Sequence, residues 1–135
     1  MTSTERQELD AVLQSAINAY HAGKVSQAIN VLTRRSNDFK AGKLWGYLGF
    51  LYTETRNDRK AAAAFRKAVA LSPRSELASL GLFHSLWRIG RVDAAFNEMR
   101  RFIKSTDSPR YRQLLRDMLG DTPRSPAPAD ELLVA

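Results

Sequence analysis

Apolar and polar positions alternate along this chain in seven blocks with helical spacing. Leu9, Leu13, Ala16, Ile17 and Tyr20 form one stripe within residues 5–22, and Gly23 ends it. A second helix is predicted over Val25–Arg35, with Ala28, Ile29, Val31 and Leu32 apolar and Ser26 as a start signal. A polar linker, Asn37–Gly42, precedes helices over Lys43–Thr55 and Arg59–Leu71, with Asn57-Asp58 suited to the turn and N-cap between them. The run Ala61–Ala64 favours helix and thins this one for close stacking. Helices over Glu76–Ile89 and Val92–Lys104 follow, with Gly90 in the turn and Asp93 at the next start. Ser108-Pro109 opens a last helix over Arg110–Leu119, with Ser as N-cap and Pro in the first position. Its Tyr111, Leu114, Leu115 and Met118 are expected to face inward. Gly120–Ala135 contains Pro123, Pro126 and Pro128 among small and polar residues and reads as a disordered tail. Its apolar end, Leu132-Leu133-Val134, is either incidental or a short docking motif.

The helices repeat. Ala28, Ala61 and Ala95 recur at intervals of 33 and 34 residues. In the central unit Trp45, Leu48, Gly49, Tyr52, Ala61, Phe65, Ala68 and Pro73 fall at the spacing W-x2-L-G-x2-Y…A-x3-F…P. This unit resembles the tetratricopeptide (TPR) family, and all eight pattern positions are filled. Leu48 and Tyr52 share one helical face, as do Phe65 and Ala68. Gly49 and Ala61 offer little bulk where two helices meet, and Pro73 stops the second helix. The flanking units depart from the pattern. Val12 stands at the tryptophan position of the first. In the third, Ser79, Phe83, Phe102 and Asp107 replace Trp, Gly, Ala and Pro, which suggests wider packing there. The resemblance implies an all-α fold, an α-solenoid of three TPR helix-turn-helix pairs (about 9–41, 42–75 and 76–107) plus a C-terminal capping helix over 109–119, all within a domain spanning 5–119.

TPR units generally bind other proteins, and the resemblance places ligand contacts on the first helix of each pair. The corresponding positions are Asp10, Leu13, Ile17, Tyr20 and His21 in the first unit. They are Lys43, Gly46, Phe50, Thr53 and Glu54 in the second, and Leu77, Leu80, His84, Trp87 and Arg88 in the third. The expected partner-binding groove is Leu13, Ile17, Tyr20, Lys43, Phe50, Glu54, Leu80, His84, Trp87 and Arg88. Leu13, Ile17, Tyr20, Phe50, Leu80 and Trp87 would form an apolar, aromatic strip, and contiguous apolar surface of that kind marks either an interface or a groove closed on itself. A TPR subclass grips a partner's C-terminal carboxylate with Lys, Asn and Arg. Here those places hold Leu13, Ile17, Tyr47, Leu77 and Gly81, so that clamp is absent.

Composition narrows the function further. The chain has 135 residues, 44% of them hydrophobic, which suits one small domain with a core. It has no cysteine, which excludes disulfides and thiolate metal sites and fits a reducing compartment. The first residues lack the apolar run of a secretory signal, and no segment has the apolar length of a bilayer span, so a cytoplasmic, non-membrane protein is expected. The net charge is +7. Basic pairs Arg34-Arg35, Arg66-Lys67 and Arg100-Arg101 close the second helices, where cations complement the helix dipole, and Arg110, Arg112 and Arg116 extend the positive character. They solvate the outer face or steer an acidic protein partner. Nucleic acid is the weaker alternative, since no recognition-helix, RNP or zinc motif accompanies the charge. His21 and His84 have no companion ligands, and Gly23-Lys24 and Gly42-Lys43 lack the rest of a phosphate loop. No cofactor and no enzymatic activity are expected. The readings that follow are a peptide- or helix-binding adaptor, a dedicated chaperone or toxin-immunity protein with one cognate partner, a basic scaffold on nucleic acid, or self-association through the groove.

Overall fold

The computed structural model describes residues 1–120; the expected tail, apart from Gly120, lies outside the described residues. Seven helices follow in chain order: α1 (Ser3–His21), α2 (Val25–Arg35), α3 (Gly42–Glu54), α4 (Asp58–Leu71), α5 (Glu76–Arg88), α6 (Val92–Ser105) and α7 (Pro109–Leu119). They form an α-solenoid of three TPR-type helix pairs, α1–α2, α3–α4 and α5–α6, with α7 closing the end. Each pair packs internally, and α3 and α5 also touch directly.

Local chemistry explains the helix ends. Thr2, Asn57, Ser75 and Ser108 each accept a backbone N–H from the first turn of their helix, and Pro109 begins α7. Lys24, not Ser26, takes the N-cap place of α2 and provides no side-chain cap. The turns within the three pairs are alike. Lys24 N–H donates to Ala19 O at 2.8 Å, Asn57 N–H to Tyr52 O at 2.9 Å, and Arg91 N–H to Leu86 O at 2.8 Å. This is the Schellman closure of a helix, and it needs a left-handed residue just before the donor. Gly23, Arg56 and Gly90 occupy that place with φ of 77°, 59° and 83°.

The core is two linked clusters. One joins α1, α2 and α3 through Leu9, Ala16, Ala28, Leu32, Leu44, Leu48 and Leu51; the other joins α4, α5, α6 and α7 through Phe65, Leu82, Phe83, Met99, Phe102 and Tyr111. Phe65 of α4 sits where α3 and α5 meet. A Cβ on Gly49 of α3 would lie 2.9 Å from its ring, and one on Gly81 of α5 would lie 2.6 Å from its Cζ, both inside van der Waals contact. Two glycines on successive first helices thus leave room for one phenyl ring. The sequence reading paired Gly49 with Ala61; the atoms that use the space left by Gly49 belong to Phe65.

The third pair is packed differently, as its departures from the repeat suggest. Ser79 and Phe83 stand where the second pair has Trp45 and Gly49, and both are buried. Tyr111 of α7 packs there, its ring meeting Phe83 at 5.9 Å and Phe102 at 5.8 Å. Its hydroxyl lies 2.7 Å from Ser79 Oγ, and Ser79 donates to Glu98 Oε2 at 2.6 Å. The proton count then makes Tyr111 the donor to Ser79. Arg101 closes the chain with two bonds to the Glu98 carboxylate, at 2.9 and 2.6 Å, and a third to Pro73 O at 3.1 Å. The buried carboxylate is therefore paired and fully engaged, the condition for tolerating a charge there. In the second pair the cation at the matching position, Lys67, instead lies over the Trp45 ring at 4.2 Å. On α7, Tyr111 and Leu115 are buried and Leu114 is half-buried, but Met118 is 38% exposed rather than inward-facing.

Two outcomes test this packing. Gly81→Ala gains about 1 kcal/mol of helix propensity but overpacks Phe65 at a cost of about 1–3 kcal/mol. The expected result in denaturant titration is a net loss, because Gly49 blocks the ring's retreat on the other side. Burial raises the Tyr111 phenol well above its ordinary pKa. Its contribution to stability is full below the unfolded pKa of about 10 and declines as pH rises beyond it. Tyr111→Phe should lose about 1 kcal/mol at neutral pH and flatten the alkaline limb of the stability profile.

Candidate functional site

The first helices bring part of the expected set together. Tyr20 of α1 donates its hydroxyl to Glu54 Oε1 of α3 at 2.8 Å, tying the first pair to the second across 34 residues of sequence. The Tyr20 ring meets Phe50 edge-on at 5.3 Å, and Phe50 meets Tyr47 at 5.6 Å. The hydrogen bond to Glu54 raises the Tyr20 pKa first of all, with desolvation adding to it; desolvation alone raises Tyr47. Leu13 is half-buried against the N-terminal core cluster, and Ile17 is half-buried as well.

Beyond Phe50 a groove of about 460 Å³ opens between α3 and the start of α5. Its walls include Gly46, Tyr47 and Phe50 from α3 and Leu77 and Ala78 from α5, Phe65 lines its interior, and Lys43 contributes a cation. Phe50 is 37% exposed and Leu77 is 67% exposed, so two large apolar side chains meet water at the groove. Gly46 has nothing within 4 Å of where its Cβ would be, so the wall there is bare backbone. The size and apolar lining fall within the range of small-ligand and anchor-residue pockets. Lys43 is exposed and forms no ion pair among the described residues.

The other expected residues lie apart from this groove. Leu80 is half-buried against the C-terminal cluster. Trp87 stacks on Phe83 at 6.1 Å and meets Phe96 edge-on at 5.9 Å, yet is still 41% exposed. Arg88 donates through Nε to Asp58 Oδ1 at 2.8 Å, holding α5 to the start of α4. His84 packs edge-on to Phe83 at 5.5 Å, and its pKa is lowered by desolvation on its protein-facing side and then by the charge of Arg88. Tyr47, Phe65, Ser72 and Ser75 line the groove but were not among the expected contacts. The signal for Tyr47 was its place three residues before Phe50 on the same helix. Phe65 was read only as a packing residue.

Among the described residues no group of three or more His, Cys, Asp or Glu is placed to hold a metal ion, and no helix is long and apolar enough to cross a membrane.

The fold has a solved relative. Comparison with solved structures finds a mutant of the Thermobaculum terrenum O-GlcNAc transferase, with a TM-score of 0.69 and 24% identity over 98% of this chain. The match covers 26% of that chain, so this sequence spans about a quarter of the transferase's length. At that identity the likeness is one of fold. No family model matches, and no curated protein matches. The helical-repeat architecture is common to both.

The Tyr20–Glu54 bond gives a direct check on the site's geometry. In a tyrosine NMR titration Tyr20 should ionise at higher pH than a free phenol, and Glu54→Ala should bring it back toward the ordinary value. An unchanged Tyr20 titration in that variant would show that the two first helices do not meet there.

Proposed function

We propose that this chain is a non-enzymatic protein-interaction module that takes an apolar anchor of a partner peptide or helix into the α3–α5 groove. The observation that carries the reading is the groove itself: about 460 Å³, mainly apolar walls, and Phe50 and Leu77 exposed beside it. Exposed apolar surface beside a preformed cleft is how partner segments are anchored, and aromatic side chains carry much of the energy at such sites. Tyr20 and Tyr47 hold Phe50 from two sides, so the ring is preorganised and less ordering entropy is lost on binding. Lys43 and the net charge of +7 favour an acidic segment. The repeat architecture supports a protein partner, and the absence of cysteine suits a reducing compartment such as the cytoplasm.

The test compares two single variants. Phe50→Ala should weaken the partner by about 2 kcal/mol, with a stability loss of about 1 kcal/mol from its contacts with Tyr20 and Tyr47 that leaves the chain folded. Trp87→Ala should lose a similar amount of stability through Phe83 and Phe96 with partner affinity kept. Affinity purification from cells, scored by mass spectrometry, should therefore lose its specific partners with Phe50→Ala alone. Recovery of the same partners by wild type and Phe50→Ala would place recognition elsewhere.

A further inference from the structure

We propose that the segment Asp130–Val134 of this chain docks in its own α3–α5 groove, so that a partner must displace it. The proposal rests on the groove reading above and adds a regulator to it. The groove presents a cation, Lys43, beside apolar walls made by Tyr47, Phe50, Phe65 and Leu77. The segment presents the complement in the same compact order: two carboxylates, Asp130 and Glu131, followed directly by Leu132, Leu133 and Val134. The chain is strongly basic, with 21 Lys and Arg against 14 Asp and Glu that include this pair, so a local acidic pair is attracted to the helical domain as a whole.

Reach permits the contact. Ser79 of α5 bonds Tyr111 of α7, and Ser108, just before α7, donates to Glu76 of α5 at 2.8 Å, so the two helices start side by side. The end of α7 then lies one helix length, about 16 Å, and about two helix spacings, 20 Å, from the groove. That is a separation of about 25 Å. The twelve residue steps from Gly120 to Leu132 can span up to about 40 Å. A linker long enough to cover the separation makes the contact intramolecular, at an effective concentration above that of free chains. Pro123, Pro126 and Pro128 lie in the linker and leave the apolar triplet free of proline. Weak intrinsic affinity is therefore enough for occupancy, and a partner with a better anchor would release the segment.

The absence of cysteine allows a clean test in the full chain. Ala129→Cys carries one nitroxide label beside the segment. Expected is paramagnetic broadening of the amide signals of Gly46, Phe50 and Leu77, with Gly23 unaffected, and its loss when Leu132→Asp and Leu133→Asp are added. Mixing isotope-labelled, nitroxide-free chains with labelled ones should give no broadening between molecules. A fluorescent synthetic peptide of residues 121–135 should bind the Leu132→Asp, Leu133→Asp chain several-fold tighter than wild type, since only wild type carries the competitor. Absent broadening, broadening indifferent to the two aspartates, broadening only between molecules, or equal peptide affinity would each overturn the proposal. The two readings fail separately. If Phe50→Ala abolishes partner binding while no broadening is seen, the groove stands and self-docking falls. If broadening is seen while Phe50→Ala leaves partners bound, self-docking stands and the function falls.

Discussion

One ring between two glycines sets the geometry of the central stack. Phe65 rises from α4 into the space left by Gly49 and Gly81, where a Cβ on either glycine would overlap its ring. Interiors are packed to near-crystalline density, so a methyl group on either glycine has nowhere to go without moving a helix. The same ring lines the groove between those helices. The residue that fixes the angle of the second pair against the third thus also fixes the depth of the candidate binding site. Helix packing and the candidate groove are coupled through one side chain.

The third pair meets the same packing problem with different chemistry. Where the second pair stacks Lys67 on Trp45, the third replaces the indole with Ser79 and a hydrogen-bonded Glu98–Arg101 pair. The smaller serine makes room for Tyr111, and the phenol both fills the volume and finishes the polar chain. A buried network of this kind is stable only when every member is satisfied. Here the tyrosine donates, the serine relays, the carboxylate accepts and the arginine neutralises it. The capping helix is therefore held by direction-specific bonds as well as by apolar area, which favours one seat for it over a sliding fit.

Much of this was readable from the residues. Helical spacing and cap residues located the helices of the described residues to within a few positions, because Asn57 and Ser108-Pro109 encode their ends locally. The turn glycines were visible for the same reason. What escaped the sequence lies between repeats. Gly81 costs its helix roughly 1 kcal/mol of propensity, which signals a packing reason, but only the fold reveals that the reason is a ring from the preceding pair. Trp87 was grouped with Phe50 because repeat positions align them; in space it leans on Phe83 and Phe96, which stand where regular units have smaller residues. Arg88 was expected at a ligand and is found holding Asp58. Position in a repeat assigns a face, whereas the neighbour on that face depends on the bulk and charge of the side chains packed around it.

The division of the core into two clusters bears on how the chain folds. Helix α4 turns Ala64 toward the N-terminal cluster and Ala61, Ala62 and Phe65 toward the C-terminal one, while Tyr52 touches both. Stacked repeats exchange energy mainly with their nearest neighbours, so order spreads along the array from whichever interface forms first. The junction at α4 makes the central pair the natural nucleus, with growth possible in either direction. Opening would then begin at the α1–α2 end, whose helices α2 and α3 meet without the interlocked ring found between α3 and α5. A chain that has frayed there would lose the support that Tyr20 gives Phe50, so the groove would loosen first at its outer aromatic wall while Phe65 still holds its interior.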